Sequence, residues 1–250
     1  MLGAWASAVG IAVTVALAVA ATVGRALTPL ASAVAAAFGI VIVVLVGFGF
    51  LLLLVVFVVV SSFATRYRFA DKAARHVQEG RRGERGVPNV VAHIVLPTAI
   101  ALATGLGWIS VRAAAVLFAC ALAFASSDTL ASELGVLLGR AVSVLSFRPV
   151  LAGTNGGISS VGEAFAVVGS VGTALVGLGL FAVFGDPVGP AAVFLLVVGV
   201  AGFVACQVDS VLGATLESRG LVTKGGTNFL GMLSALGIGI GLAALLGASL

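Results

Sequence analysis

The side chains able to do chemistry are few and fall into four short strings. The first is Ser126-Ser127-Asp128-Thr129-Leu130-Ala131-Ser132-Glu133-Leu134-Gly135. A carboxylate at the end of an apolar run is costly unless it has a partner, so Asp128 is a functional candidate. Asp128 and Ser132 share a helical face, whereas Glu133 lies about 140° round the helix. One metal could take both carboxylates only if Asp128 stood at the cap, outside the helix proper. The plain alternative is that Asp128 caps a helix starting at Thr129.

The second string is Gly153-Thr154-Asn155-Gly156-Gly157-Ile158-Ser159-Ser160, just before a helix expected from Val161. Small residues there let backbone N–H groups converge on an anion, and the helix N-terminus adds positive potential. Thr154 and Ser159 hydroxyls are candidates for contacting phosphate oxygens or a magnesium ion; the plain alternative is a flexible loop. The third string is Asp209-Ser210-Val211-Leu212-Gly213-Ala214-Thr215-Leu216-Glu217. The fourth, Lys224-Gly225-Gly226-Thr227-Asn228, offers a cation and an amide at a helix start. A lysine there can equally be a snorkelling anchor.

Together the strings read as two rounds of one pattern. An apolar helix ends in Asp-Thr (128–129) or Asp-Ser (209–210), and Thr-Asn (154–155 or 227–228) then opens a helix. The spacings differ, 27 residues from Asp128 to Asn155 and 19 from Asp209 to Asn228, so an internal pseudo-repeat rests on pattern alone. Two carboxylates and two anion-binding helix starts around one cavity would suit magnesium and a polyphosphate, because magnesium takes one or two carboxylates plus phosphate oxygens.

The elements that must position these strings are membrane helices. Of 250 residues, 61% are hydrophobic and 9% charged, and the mean hydropathy is +1.27. Apolar runs of about 18 residues or more recur, and strand alternation is missing, so helices are left to satisfy the backbone in lipid. The expected spans are Leu2–Gly24, Thr28–Val46, Gly47–Ala64, Pro88–Gly107, Val111–Ser126, Val161–Phe184, Pro190–Gln207 and Asn228–Ser249. The sequence thus predicts an all-α polytopic bundle of seven to eight spans in a single membrane domain. Residues 28–64 form either two helices broken at Gly47-Phe48-Gly49 or one long tilted helix. The N-terminus reads as a first span rather than a removed signal peptide. The 34 glycines favour close helix packing.

Charge is concentrated in the loop at 65–87. Arg66, Arg68, Lys72, Arg75, Arg81, Arg82 and Arg85 stand there against Asp71, Glu79 and Glu84, a surplus equal to the net charge of the whole chain, +4. Basic character therefore points to a cytoplasmic loop rather than to nucleic acid. An anionic headgroup or phosphorylated substrate is a further use for it. Segments 127–160 and 208–227 then fall on the same cytoplasmic face, in the cell membrane. Cys120 and Cys206 lie in apolar runs and are expected as buried free thiols. No Walker A loop, hydrolase triad, zinc motif or CDP-alcohol phosphotransferase pattern occurs.

At the four strings the chain resembles an integral-membrane family of unknown function that includes the chloroplast phytyl-phosphate kinase and the animal protein called transmembrane protein nineteen. The resemblance is carried by 127–135, 153–159, 209–215 and Thr227-Asn228, with Thr65-Arg66-Tyr67-Arg68 at the loop start. It departs at Leu130, where the family more often has Trp, at the arginine-rich loop, and at Phe229. The resemblance implies an isoprenyl-phosphate kinase, with CTP as the expected phosphoryl donor and phytyl or geranylgeranyl phosphate as acceptor. On that reading Asp128 and Asp209 hold magnesium with Glu133. Gly153, Thr154, Asn155, Gly156, Gly157 and Ser159 cradle the nucleotide, joined by Thr227 and Asn228. Lys224 neutralises transferring oxygens, and Arg66 or Arg68 meets the acceptor phosphate. Repeated half-motifs and glycine-broken helices also suit a transporter or flippase.

Overall fold

The structure, a computed structural model, describes residues 4–80 and 83–248. The expected first span begins, and the last ends, on residues outside those described, as do Arg81 and Arg82 of the basic loop. Among the described residues eight helices are long and apolar enough to cross a membrane. They are α1 (Ala4–Val23), α2 (Pro29–Val46), α3 (Phe48–Arg66), α5 (Val87–Gly105), α6 (Val111–Leu138), α7 (Ser160–Phe184), α8 (Ala191–Leu212) and α9 (Lys224–Leu245). A short helix, α4 (Phe69–Ala74), lies in the basic loop, and a two-residue hairpin pairs β1 (Val142–Ser143) with β2 (Gly157–Ile158). The polytopic helical bundle expected from hydropathy is the fold.

Helix starts are written locally in the sequence. Thr28, Ser110, Ser159 and Thr223 each accept a hydrogen bond from the backbone N–H three residues on, satisfying a donor the helix leaves orphaned. Pro29 and Pro88 occupy the first turns of α2 and α5, where no N–H is needed. Gly47, with φ of 103°, separates α2 from α3, so 28–64 is two helices.

The chain runs up and down. The ends of α1 and α3 meet where Arg66 donates to the Gly24 carbonyl at 2.7 Å. The start of α2 meets the start of α5 through Thr28 N–H to Arg85 O, 3.1 Å, and Arg85 N–H to Ala26 O, 3.0 Å. The basic loop, residues 139–159 and the turn at 218–223 consequently share one end of the bundle. Gly47, the 106–110 turn, Gly185–Pro190 and the end of α9 share the other. There Asp186 lies against Gly49, close enough that a Cβ on that glycine would sit 2.6 Å from its carboxylate.

Helix α6 is the axis. Its residues from Ala113 to Ser127 are buried without a gap, and it packs on α3, α5, α7, α8 and α9. Small residues permit the approach: a Cβ on Gly169 of α7 would fall 2.7 Å from the Ser127 backbone nitrogen. At the same level the Ser127 hydroxyl donates to Ala166 O and Thr173 donates to Ser126 Oγ. By contrast α1 packs mainly on α2 and leaves most of its surface to lipid.

Two expected boundaries are corrected. Helix α6 does not stop at Ser126 but continues to Leu138, and α8 continues beyond Gln207 into a π-helical turn at Gly213–Glu217. Asp128 is therefore within a helix and caps nothing, and Asp209 is likewise within α8. The polar residues that looked like the ends of spans face the interior of the bundle instead of bulk water.

Candidate active site

At the end of the bundle that carries the basic loop, a cavity of about 330 Å³ opens between α6, α7, α8, α9 and the 153–159 loop. Helices α6 and α8 bring down Asp128 and Asp209; α7 and α9 start beside them. All of Gly153, Thr154, Asn155, Gly156, Gly157, Ser159, Lys224, Thr227 and Asn228 line it with the two aspartates. Residues far apart in sequence thus converge on one site, and Ser132 joins Asp128 on the same face of α6.

The two aspartates are near enough for their charges to interact. Asp209 Oδ1 is buried without a hydrogen-bond partner, and no described residue donates to the Asp128 carboxylate. A buried carboxylate left like this is expensive unless a cation completes it. Glu79, Glu163 and Glu217 also line the cavity, and Lys224 is its one Lys or Arg among the described residues. Glu163 accepts from Gln207 at 2.8 Å, Glu217 from Thr227 at 3.3 Å and Glu79 from Lys224 at 3.3 Å. Burial pushes the Glu79 carboxyl up, but Lys224, Arg85 and Asn89 outweigh it and hold it below its ordinary value. These three glutamates went unassigned in the sequence, yet their rarity was a signal, since the chain has only nine Asp and Glu.

The 153–159 loop is a built turn. Thr154 N–H and Oγ1 both donate to Leu151 O, and Gly157 N–H donates to Thr154 O. Ser159 Oγ caps α7. Thr154 thus spends its hydroxyl proton on the protein, whereas Ser159 accepts from Gly162 N–H and keeps its own proton to donate. The Asn155 and Gly156 N–H groups donate to no described residue. Gly156, at φ +71°, rests on α8, where an added Cβ would lie 2.7 Å from Ser210 O.

Glu133, expected beside the aspartates as a metal ligand, lines the same cavity, but the protein engages both of its carboxylate oxygens. Its Oε1 accepts from Thr65 at 2.9 Å and its Oε2 from Lys72 Nζ at 2.5 Å. Lys72 is fully buried and also donates to the carbonyls of Ala64 and Thr65 at the end of α3. Both carboxylate oxygens are thereby spent on fastening α4 and α3 to α6. Arg66 and Arg68, expected at the acceptor phosphate, do not line the cavity; Arg66 reaches Gly24 O, and Arg68 pairs with Asp71. Arg85, not singled out in the sequence, is buried beside the site, with Nη1 on Asn89 and Nη2 near Thr65 and Thr129. Burial lowers its guanidinium from the ordinary value against the pull of Glu133, Glu79 and Asp128, and an arginine stays charged regardless.

Among the described residues no group of three or more His, Cys, Asp and Glu is gathered for a metal. A cation here would rest on the Asp128 and Asp209 carboxylates and on oxygens brought by its ligand. Such a donor set would be all oxygen and incomplete, which fits a magnesium held to a phosphate better than a protein-enclosed zinc.

A family model described as integral membrane protein DUF92 matches residues 12–245, from α1 through α9. The chain belongs to the DUF92 family. The resemblance drawn from the four strings holds at that level. An uncharacterized membrane protein of Synechocystis sp. is 29% identical over 195 residues, covering 73% of this chain and 70% of its own length. Another from Methanocaldococcus jannaschii is 28% identical over 178 residues, covering 70% of this chain and 68% of its own. No solved structure matches at a significant level. Both DUF92 relatives are similar to this chain in sequence, and their names carry no activity.

Proposed function

We propose that this protein is a magnesium-dependent prenyl-phosphate kinase, moving the γ-phosphoryl group of a nucleoside triphosphate, CTP by family resemblance, onto a lipid monophosphate. The observation that carries the reading is the pair of aspartates on α6 and α8, Asp209 with its Oδ1 buried and unpartnered, facing one cavity flanked by two helix starts. The excess of carboxylates argues that a phosphate ligand enters with its cation and not as a bare anion.

In the reaction an oxygen of the acceptor phosphate attacks the γ-phosphorus. The bond from that phosphorus to the β–γ bridging oxygen breaks, and the nucleoside diphosphate leaves. The acceptor is already an anion, so no general base is needed, and positioning with charge neutralisation supplies the catalysis. Magnesium, when bound, would neutralise the phosphate oxygens. The Asn155 and Gly156 N–H groups and the start of α7 orient the nucleotide phosphates, while Lys224 and Asn228 at the start of α9 meet the transferring oxygens.

The cytoplasmic placement of this face belongs to the same reading. Arg25, Arg66, Arg68, Lys72, Arg75, Arg85, Arg140, Arg148, Arg219 and Lys224 lie at this end, and Arg112 is the one described basic residue at the other. Such asymmetry is the positive-inside pattern.

A second reading, transport of a phosphorylated lipid or small anion, draws on a cavity of about 360 Å³ at the opposite end of α6, α8 and α9, lined by Arg112, Phe194 and Val197. Buried Cys120, Phe124 and Met232 fill the bundle between the two cavities. One experiment separates the readings. Purified protein with magnesium, CTP and geranylgeranyl phosphate should give the diphosphate and CDP. No product with any nucleoside triphosphate, alongside flux of the lipid phosphate in proteoliposomes, would replace the kinase with a transporter.

A further inference from the structure

The basic end of the bundle holds a second feature, apart from the catalytic cavity. Between α1 and α3, floored by α2, runs a groove of about 470 Å³ with almost wholly apolar walls, among them Leu17, Ala21, Leu51 and Val55. From Leu51 to Arg66 it follows α3 for about 22 Å at 1.5 Å per residue, most of the roughly 30 Å hydrocarbon thickness. The groove exists because α1 is fastened to the bundle mainly through α2, leaving its flank apart from α3. Arg66 closes it at the basic end.

Behind Leu27, Ala35, Leu54 and Val58 the groove adjoins a smaller cavity that shares those four residues and ends on Arg85, Asn89 and His93. Arg85 is 5% exposed, and its Nε has no hydrogen-bond partner. A buried guanidinium with an idle donor behind the wall of an apolar groove favours an anionic amphiphile over a neutral one. A polar chain then leads from Arg85 through Asn89 (3.0 Å) and Glu79 (3.4 Å) to Lys224 (3.3 Å) at the catalytic cavity.

We propose that the α1–α3 groove seats the hydrocarbon tail of the phosphorylated lipid, with Arg85 as the positioning residue that draws its anionic end toward Asp128 and Asp209. The inference rests on the kinase reading for its direction, and the tail seat can be tested without turnover.

The test uses full-length protein in phosphatidylcholine vesicles and a geranylgeranyl monophosphate carrying a photoreactive diazirine on its tail. Adducts are expected on α1 and α3, near Leu17, Ala21, Leu54 and Val58. They should be lost to excess unlabelled geranylgeranyl phosphate and should persist in excess geranylgeraniol. Arg85→Gln should reduce labelling at least about fivefold, and Arg85→Lys should restore part of it. Ala35→Phe, which fills the shared wall, should raise the KM for geranylgeranyl phosphate about tenfold while the KM for CTP changes less than twofold. Adducts confined to other helices, equal competition by the alcohol, or displacement by phosphatidylcholine alone would overturn the tail seat, even in an active enzyme. Anion-dependent adducts in the groove without any product from CTP would instead sink the kinase and leave the seat standing.

Discussion

Two acidic positions on α6, little more than a turn apart, have opposite fates. Glu133 is satisfied in full, its oxygens taken by Thr65 and Lys72 at the junction of α3, α4 and α6. Asp128 lines a cavity together with Asp209, and no described residue donates a hydrogen bond to it. Both are carboxylates in an apolar environment, where an unpaired charge costs several kcal/mol. The chain has met that cost at Glu133 with a direct lysine contact, whereas Asp128 and Asp209 have only the more distant charges of Lys224 and, at Asp128, Arg85. A fold retains such a deficit where something else supplies the missing charge, so the contrast divides a structural knot from a working site.

Breaking the contrast at the site should have the largest effect. Asp128→Asn and Asp209→Asn should each lower kcat for diphosphate formation by ~10³-fold or more, with unchanged or higher thermal stability, since no described residue donates a hydrogen bond to either carboxylate. Loss of stability in either variant, measured by detergent unfolding, would make that aspartate structural. At the knot the outcome inverts: Lys72→Met should destabilise by about 3–5 kcal/mol, because Glu133 is left buried and unpaired. Lys72→Met with Glu133→Leu should recover most of that loss.

The same comparison marks what the sequence could and could not disclose. Apolar runs gave the spans, Thr28, Ser110, Ser159 and Thr223 marked helix starts, and the four strings carried the residues that now line one cavity. Those signals are local. The engagement of Glu133 is not legible in the sequence, because its partner Lys72 is 61 positions away and no spacing rule links a loop lysine to a membrane helix. The ends of α6 and α8 lie beyond the expected ones for a related reason. Ser126, Ser127 and Asp128 read as a polar exit from the membrane, whereas Gly169 and Ala166 of α7 absorb the serines and the cavity absorbs the aspartate. Arg66 and Arg68 were singled out as cations near a substrate, but only the fold tells which basic residue of that loop is buried beside the site, and it is Arg85.

A smaller effect sharpens the account of the nucleotide loop. Gly156→Ala adds a Cβ at a positive φ against Ser210 O, a strain of about 1–2 kcal/mol. The KM for CTP should rise ~10-fold with kcat within about threefold; equal loss of both would mean that the loop acts in catalysis rather than in binding. The opposite end of the bundle supplies the mildest case. Burial raises the Asp186 carboxyl to about 6, so between its ordinary value near 3.8 and 6 the folded state holds more protons than the unfolded one. Stability therefore falls as pH rises through that window and stays lower above it. Asp186→Asn should remove this dependence and add on the order of 1 kcal/mol at neutral pH, allowing for its half-exposure. A melting profile with an unaltered slope between pH 4 and 6 would refute it.

The sharing of one cation by Asp128 and Asp209 is tested most directly by electron paramagnetic resonance of manganese with CTP, manganese standing in for magnesium. Wild-type protein should bind one manganese per chain, each Asp→Asn variant should lose it, and the double variant should lose no more than either single one. Manganese–CTP binding at wild-type affinity in both single variants would contradict the account.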